Sequence, residues 1–303
     1  MPAEHQVMVV GQIARDIVLQ VDSIPAAGSA RPATQRLEML GGKGANQALG
    51  LVQLGLRVSL LSAVGDDPAG EWLLGQAAAD GIDTTWVARR PDAESGLIVS
   101  AVGPDGWRYV ESLPAQVLIS PGDVALAEPA IRQAGTVVIQ LQQPGAAALA
   151  AAQAGRRAGA RVILDGAPEA GFRRPLLRAA DVVRADGREA ELLTGQPVRS
   201  GRDAVAAGRE LLRHGPSLVA LAAGHDGNAI VWPGGSVVLP LTGGPQVDTP
   251  GARDAFIAVL VAALARGAGA ADAGRQAVAA AGRTVAHLGG RPHLRSRGQD
   301  TDR

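Results

Sequence analysis

The sequence predicts an α/β fold in which a mostly parallel central sheet is covered by helices on both faces. Short runs of β-branched residues alternate with Ala- and Leu-rich amphipathic stretches along the 303 residues, and this alternation is typical of βαβ units. Two segments interrupt it with patterns of antiparallel strands. Apolar residues make up 47% of the chain and aromatic residues only 2%, so we expect a large core packed from Leu, Val, Ile and Ala.

The central strands are predicted at short apolar runs, and the helices at the longer stretches with helical periodicity between them. The predicted strands are residues 7–10, 58–64, 137–141, 162–164, 182–183, 218–221 and 229–232. The predicted helices are residues 46–54, 70–79, 146–158, 188–193, 203–214, 255–265 and 271–288. Ligands of such sheets bind beyond the carboxyl ends of the strands, so the loops there are expected to carry the chemistry.

The two interrupting segments are residues 13–37 and 96–111. The first contains the strand-like run 17–21 followed by a loop rich in Pro and Gly. The second contains two strand-like runs joined by the turn 103–106, with the sequence GPDG, and this pattern predicts a hairpin. We expect a small antiparallel sheet outside the central one, which serves as a lid, as a dimer contact, or as both. An ordinary edge hairpin is the alternative.

Composition excludes several classes of function. The 29 basic and 29 acidic side chains balance to a formal net charge of zero, which argues against nucleic acid or an anionic membrane as the main partner. The absence of cysteine excludes disulfides and thiolate catalysis, and the five histidines show no metal-binding spacing. The chain shows no signal peptide and no apolar run long enough to span a membrane. We therefore expect a cytoplasmic protein with a flexible tail at residues 292–303.

Lys43 is the only lysine of the chain. A GC-rich genome explains why arginine replaces lysine elsewhere, but it does not explain the lysine that remains. The compact ammonium group of lysine is not interchangeable with the planar guanidinium of arginine. Gly41, Gly42 and Gly44 surround Lys43, and glycines let the backbone approach a ligand closely. Lys43 is therefore the first residue that we assign to a site.

A second glycine-containing motif, VDTPGARD at residues 247–254, directly precedes an apolar helix. A turn of small residues at the start of a helix presents free N–H groups and the positive end of the helix dipole to an anion. Asp254, at its edge, can accept the proton of a hydroxyl group that attacks such an anion. Alone, this pattern is most often a helix cap. Together with the upstream Gly-Gly-Lys-Gly-x-Asn motif at residues 41–46 it is far more specific.

The two motifs together resemble the two signatures of the ribokinase-like (PfkB) carbohydrate kinases, and the ribokinases among them most closely. The resemblance extends over nearly the whole chain. It implies a three-layer ribokinase-like sandwich as a single domain over residues 1–303, with a small β lid through which two subunits form a homodimer. It also implies phosphoryl transfer from ATP to a sugar, with Mg²⁺ and with K⁺ dependence left open.

The resemblance also implies a role for individual residues. Asp254 is the implied catalytic base, in front of an anion hole formed by Gly251, Ala252 and Arg253. The implied sugar-binding residues are Asp16, Gly42, Lys43, Asn46, Gln142 and Asp254. The implied nucleotide-binding residues are Asp186, Ala223, Gly224, Asp226, Gly227 and Arg253. Glu189 is the implied magnesium residue, acting through water, and Asp248 is a candidate ligand of a monovalent cation.

Several site positions depart from the family pattern. Arg253 stands where the family has glycine, and its side chain either adds charge stabilisation to the phosphates, blocks them, or points to solvent. Asp186 replaces an asparagine, Gln142 a glutamate and Ala14 a sugar-binding asparagine. Because the Arg253 and Asp186 changes are opposite in sign, they could compensate each other. His293 replaces a serine near the cation site, which leaves potassium activation open.

The sequence thus predicts ATP-dependent phosphorylation of a sugar hydroxymethyl group, first of all D-ribose to D-ribose 5-phosphate. A kinase for another sugar or for a nucleoside is the alternative within the enzyme class. The alternative outside it is a catalytically impaired member of the fold that binds a sugar or nucleotide without turnover.

Replacing Lys43 by alanine is expected to weaken sugar binding about tenfold or more, because a charge-assisted hydrogen bond is lost. Lys43→Arg is the matched control and should not restore affinity. Calorimetric titration with D-ribose measures both effects. Affinity of Lys43→Ala equal to that of the wild type would place Lys43 outside the sugar site.

Overall fold

The computed structural model describes residues 6–242, 250–284 and 289–294. The strands of this part of the chain are β1 (Gln6–Val10), β2 (Ala14–Gln20), β3 (Gln35–Gly41), β4 (Arg57–Gly65), β5 (Val87–Arg90), β6 (Leu97–Gly103), β7 (Gly106–Ser112), β8 (Thr136–Gln140), β9 (Arg161–Asp165), β10 (Val182–Ala185), β11 (Leu218–Ala222), β12 (Asn228–Trp232) and β13 (Gly235–Leu239). Its α-helices are α1 (Lys43–Gln53), α2 (Pro68–Ala79), α3 (Pro121–Leu126), α4 (Glu128–Ile131), α5 (Gly145–Arg157), α6 (Arg173–Ala179), α7 (Gly187–Thr194), α8 (Gly201–Leu212), α9 (Pro250–Ala265) and α10 (Ala270–Thr284).

The central sheet has nine strands in the order β13-β12-β11-β10-β9-β8-β1-β4-β5. Neighbours from β11 to β5 pair in parallel, and β12 and β13 extend the sheet as antiparallel edge strands. The seven predicted central strands are all present. The mostly parallel α/β sheet that the sequence predicts is therefore confirmed.

Helices cover both faces of the central sheet, and β1 shows how the two faces are built. Val7 and Val9 pack with the residues of α1, α2, α9 and α10. Met8 and Val10, which point the other way, pack with the residues of α3 to α8. Alternate side chains of a strand point to opposite faces, so a strand buried on both sides reads as a continuous apolar run. The architecture is a three-layer sandwich.

A second, four-stranded sheet has the order β3-β2-β6-β7. It arises from the two segments that interrupt the sequence pattern, although β3 runs to Gly41, beyond the predicted limit at residue 37. The expectation of a purely antiparallel sheet is wrong in one pairing, because β2 and β6 run parallel. These strands come from separate excursions joined by a long crossover, which permits parallel pairing, whereas a short hairpin turn does not.

The sequence prediction missed β5 and β13 at the edges of the central sheet and the helices α3, α4 and α6. All five elements have only four to seven residues, and periodicity is weak over such lengths. α10 is described to Thr284, and the predicted continuation at 285–288 lies outside the described residues. None of the described helices combines the length and apolar character needed to cross a membrane.

Only residues 292–294 of the predicted flexible tail belong to the described part of the chain. They are docked on α1, where Gln53 Nε2 donates to the carbonyl oxygen of Pro292 over 3.0 Å. The N–H group of Leu294 donates back to Gln53 Oε1 over 2.9 Å. Residues 292–294 are thus held against α1 by two hydrogen bonds.

Glycines let α1 begin against the loop that follows β1. A Cβ atom on Gly44 would lie 2.5 Å from the carbonyl carbon of Gly11 and 2.7 Å from the nitrogen of Gln12. Gly42, the residue before the helix, has a φ of 83°, a conformation that favours glycine. This close approach fixes where Lys43 and Asn46 stand relative to the carboxyl end of β1.

Gly44→Ala is expected to lower the free energy of unfolding by about 1–3 kcal/mol, because the new methyl group overlaps backbone atoms. Gly75→Ala is the matched control, since Gly75 is also helical but an added Cβ would meet no described atom within 4 Å outside the nearby backbone of its own helix. That substitution should stabilise the protein by about 0.5–1 kcal/mol through helix propensity. Denaturant unfolding of the two variants measures both values, and equal effects would contradict the close-packing argument.

Candidate active site

A cavity of about 130 Å³ lies between the second sheet and the first turns of α1 and α9. Five of the predicted sugar-binding residues meet there, although their positions in the chain are far apart. The residues that line the cavity are Asp16, Gly42, Lys43, Asn46, Ile98, Ser100, Trp107, Tyr109, Glu111, Arg253, Asp254 and Gly290. The second sheet contributes the apolar wall, in which the rings of Trp107 and Tyr109 stack with their centroids 5.0 Å apart.

Gln142 is the predicted sugar-binding residue that does not line this cavity. Its side chain is exposed beyond the carboxyl end of β8. Its carbonyl oxygen accepts a hydrogen bond of 3.1 Å from Gln12 Nε2, which ties this loop to the loop after β1. Gln142 therefore contributes a backbone contact close to the site.

Asp254 is buried in the first turns of α9, with 3% of its surface exposed. Asn46 Nδ2 donates to Oδ2 of Asp254 and Gln47 Nε2 donates to Oδ1, each over 3.2 Å. Burial and the nearby charge of Asp165 raise the pKa of Asp254 to about 7, against the opposing effects of Lys43 and the two amides. A carboxyl group with such a pKa is suited to accept a proton near neutral pH.

Behind Asp254 lies a buried polar chain that the sequence prediction did not include. Gln47 Nε2 donates to Asp165 Oδ2 over 2.7 Å, and Arg184 Nη1 donates to Asp165 Oδ1 over 3.1 Å. Asp165 and Arg184 are direct neighbours in the parallel pairing of β9 and β10. Burial opposes the charge of Arg184, but Asp165 and then Glu189 attract it more strongly, so the pKa of Arg184 is raised.

These buried residues had a signal in the sequence. Asp165 and Arg184 are charged residues at or near the carboxyl ends of short apolar strands, where parallel sheets bind ligands. The indication for Gln47 was its place one residue after Asn46. The aromatic residues Trp107 and Tyr109 lie in the hairpin that is expected to form a lid, but the sequence does not single out these two rings as part of the cavity wall.

A larger cavity of about 470 Å³ shares the lining residue Arg253 of α9 with the first. Asp186, Gly224, Gly227 and Arg253, four of the predicted nucleotide-binding residues, line it. The residues Arg184, Gly187, Arg188, Val198, Ala222, Asn228, Leu241, Thr242, Ala252, Phe256, Val278, Ala281 and Gly282 complete the wall. Charged side chains such as Arg184 and Asp186 and apolar ones such as Val198 and Phe256 line it together, a mixture that suits a planar base with a phosphate chain.

Two predicted nucleotide-binding residues have other positions. Ala223 is fully buried beneath the cavity, and Ala222 takes its place in the wall. Asp226 Oδ2 accepts a hydrogen bond of 2.7 Å from the N–H group of Gly201 at the start of α8. Asp226 thereby holds the loop that contains Gly224 and Gly227, which supports the cavity from behind.

Arg253 and Asp186 form an ion pair across the mouth of the larger cavity, with 2.7 Å between Nη1 and Oδ2. The sequence left open whether the Arg253 side chain assists the phosphates, blocks them or points to solvent. None of these three orientations fully describes the observed one, because the side chain is 47% exposed and yet held by Asp186. The two residues of opposite charge are thus in direct contact, while their compensation in activity stays a prediction. Gly251, at the start of the implied anion hole, packs against Gly290, where an added Cβ would lie 2.8 Å from the carbonyl oxygen.

Asp186 and Glu189 cap α7 reciprocally. Asp186 Oδ1 accepts from the N–H group of Glu189 over 2.8 Å, and Glu189 Oε2 accepts from the N–H group of Asp186 over 2.7 Å. No group of three or more acidic or histidine residues suited to a metal ion occurs among the described residues. Asp248, the candidate ligand of a monovalent cation, lies outside the described residues.

Comparison with known proteins matches residues 4–297 to the family described as pfkB family carbohydrate kinase. The chain belongs to this family. It is 29% identical over 257 residues to the ribokinase of Haemophilus influenzae, covering 84% of each chain. It is 28% identical over 260 residues to the deoxyribokinase of Salmonella typhi, covering 83% of each. A solved structure of Arabidopsis thaliana ribokinase complexed with ribose and ATP superposes with a TM-score of 0.79 at 25% identity, covering 95% of this chain and 94% of that one.

Membership of the pfkB family confirms the predictions of a ribokinase-like fold and of a sugar kinase. The two motifs that predicted them stand at the junction of the two cavities, since Lys43 lines the smaller cavity and Ala252 the larger one. Behind that junction, Gln47 of α1 and Arg184 of β10 each donate a buried hydrogen bond to Asp165 of β9. These bonds connect the surroundings of the two cavities.

Asp254 is expected to titrate near pH 7 rather than near its ordinary value of 3.8. Because the shift is upward, the carboxyl group should be protonated well below pH 7 and ionised above it. Carbon-13 NMR of protein labelled at the aspartate carboxyl groups measures the midpoint, and the spectrum of Asp254→Asn assigns the resonance. Lys43→Ala should move the midpoint still higher, because Lys43 lowers this pKa. A midpoint near 4 would contradict the proposed environment.

Proposed function

We propose that this pfkB family kinase transfers the terminal phosphoryl group of ATP to the hydroxymethyl group of a pentose, with D-ribose as the first substrate. The observation that carries the proposal is the place of α9 between the two cavities. Its first turn presents Asp254 to the smaller cavity, Ala252 to the larger one and Arg253 to both. A base and an anion-binding helix terminus thus stand where a sugar and a nucleotide would meet.

The smaller cavity has the donors and acceptors that a polyol requires. Lys43 offers an ammonium group, and Asp16 and Asp254 offer carboxylates. The buried Oδ1 of Asn46 has no hydrogen-bond partner among the described residues, so it can accept from a sugar hydroxyl group. The volume of about 130 Å³ favours a monosaccharide over a nucleoside. The apolar wall formed by Trp107 and Tyr109 suits the carbon-bound hydrogens of a sugar ring.

In the proposed reaction, Asp254 accepts the proton of the attacking hydroxyl group, and the N–H groups at the start of α9 stabilise charge on the transferred phosphoryl group. Lys43 and Asn46 orient the sugar, so that catalysis consists mainly of positioning and electrostatic stabilisation. Burial of Asp254, together with the nearby charge of Asp165, keeps the carboxyl group basic enough for the step.

The residues beside the larger cavity fit a Mg²⁺ ion that is held through water rather than by direct protein ligands. Glu189 Oε2 is engaged in the cap of α7, whereas Oε1 makes no hydrogen bond within the described part of the chain. Mg²⁺ usually retains several waters and is held by few carboxylates together with phosphates, so Glu189 would hold it through water. When bound, the ion supplies charge neutralisation to the phosphates. That Asp248 binds a K⁺ ion remains a proposal, which is based on the family resemblance.

We also propose a cytoplasmic homodimer formed through the second sheet. The edge strand β7 exposes 45% of Tyr109 and 73% of Val110, and an exposed edge strand with apolar side chains is suited to pairing. This arrangement would complete the wall of the sugar cavity, because Trp107, Tyr109 and Glu111 on the same strand line it.

A coupled ADP-release assay tests the reaction with D-ribose, 2-deoxy-D-ribose, D-fructose and adenosine as acceptors. D-Ribose is expected to give the highest kcat/KM, and Asp254→Asn should lower kcat about 10²- to 10⁴-fold because the general base is lost. The similarity to a deoxyribokinase makes 2-deoxy-D-ribose the most informative competitor. Binding of D-ribose without turnover of any acceptor would instead identify a sugar-binding member of the fold.

A further inference from the structure

Arg253 lies on the path between the two cavities. It is the one described residue that lines both the larger and the smaller cavity, and it directly precedes Asp254 in α9. A phosphoryl group that passes from a nucleotide in one cavity to a sugar in the other has to move past this side chain. Its guanidinium is therefore close to the place where negative charge develops.

The contact that holds Arg253 is weak enough to be exchanged. The side chain of Arg253 is 47% exposed, and its guanidinium binds Asp186 through the single oxygen Oδ2, 2.7 Å away. The other oxygen, Oδ1, is already committed to the N–H group of Glu189 in the cap of α7. Solvent-exposed ion pairs contribute at most about 1 kcal/mol, and here the Asp186 side chain is 17% exposed while its arginine partner is open to solvent. A phosphoryl group with several charged oxygens is a stronger ligand, because it can bind a guanidinium through two parallel hydrogen bonds.

We propose that Arg253 is a catalytic residue, whose guanidinium leaves Asp186 when ATP binds and contacts the oxygens of the transferred phosphoryl group. This inference rests on the proposed function. A bond forms between the sugar oxygen and phosphorus, the bond from phosphorus to the bridging oxygen breaks, and its electron pair leaves with ADP. The hydroxyl proton goes to Asp254, and Arg253 takes no part in the proton transfer. Asp186 is a positioning residue that holds Arg253 beside the path until the nucleotide arrives.

The competing interpretation is that Arg253 only neutralises Asp186, which would otherwise repel the phosphates. A double-mutant cycle separates the two interpretations. If neutralisation is the whole role, removing the charge of Asp186 as well should restore activity to Arg253→Ala. If Arg253 contacts the phosphoryl group, the double variant should remain as impaired as Arg253→Ala. Asp186→Asn suits the cycle, because asparagine caps a helix about as well as aspartate.

Steady-state kinetics of the four proteins with the best acceptor and ATP–Mg²⁺ tests the proposal. Arg253→Ala should lower kcat about 100-fold or more, as expected for the loss of a charged contact to the phosphoryl group, with KM for the sugar within about twofold. The additional change Asp186→Asn should not restore kcat, and Asp186→Asn alone should not raise it. Activity of Arg253→Ala near that of the wild type, or its restoration in the double variant, overturns the proposal.

The pair Arg275 and Asp272 provides a matched control for the cycle. These residues form an exposed ion pair on α10, also with 2.7 Å between the charged atoms, and neither lines the two cavities. Arg275→Ala and Asp272→Asn are expected to leave kcat unchanged, which separates the loss of a surface ion pair from the loss of a phosphoryl contact.

If the wild-type protein turns over no acceptor, the proposed function fails, and nucleotide binding decides the inference separately. Calorimetry with Mg²⁺ then compares ADP with AMP-PNP, an analogue that retains a terminal phosphoryl group. Arg253→Ala should weaken the binding of AMP-PNP about tenfold while it changes the binding of ADP less than about twofold. An equal effect on the two nucleotides would overturn the proposal.

Discussion

The candidate active site depends on one buried ion pair, between Asp165 on β9 and Arg184 on β10. Burying two charges is costly unless each has a partner and further hydrogen bonds. The parallel register of β9 and β10 places the two residues side by side, and Gln47 satisfies the second oxygen of Asp165 over 2.7 Å. The same amide group reaches Asp254. The pair therefore fixes α1 and α9 relative to the carboxyl ends of the strands.

This arrangement also determines the chemistry of Asp254. Removal from water raises the pKa of its carboxyl group, and the negative charge of Asp165 raises it further. Lys43 and the amide groups of Gln47 and Asn46 oppose the shift, and the balance lies near neutral pH. A carboxyl group in water would titrate far lower and would be a weaker base. The buried chain behind Asp254 thus makes it suited to deprotonate a hydroxyl group.

Two of the departures from the family pattern lie at the larger cavity, where they are related to each other. Arg253 in the first turn of α9 and Asp186 at the cap of α7 are far apart in sequence but form a direct ion pair. Arg184 and Asp165 form a second pair behind them, and Arg184 also lies 3.9 Å from Glu189. Positive and negative side chains thus alternate around the end of the larger cavity, so that the acidic residues there do not simply repel a nucleotide.

The α/β class could be predicted from the amino-acid sequence alone, as could the seven central strands, the two excursions and the two motifs around Lys43 and Asp254. These features depend on local periodicity, turn chemistry and short spacing, which one chain segment carries alone. Long-range packing sets the parallel pairing of β2 with β6, the position of Trp107 and Tyr109 in the wall of the smaller cavity, and the partners of Arg253 and Asp165. Each of these contacts joins segments from separate βα units, and strand order and register, which no single segment specifies, bring them together.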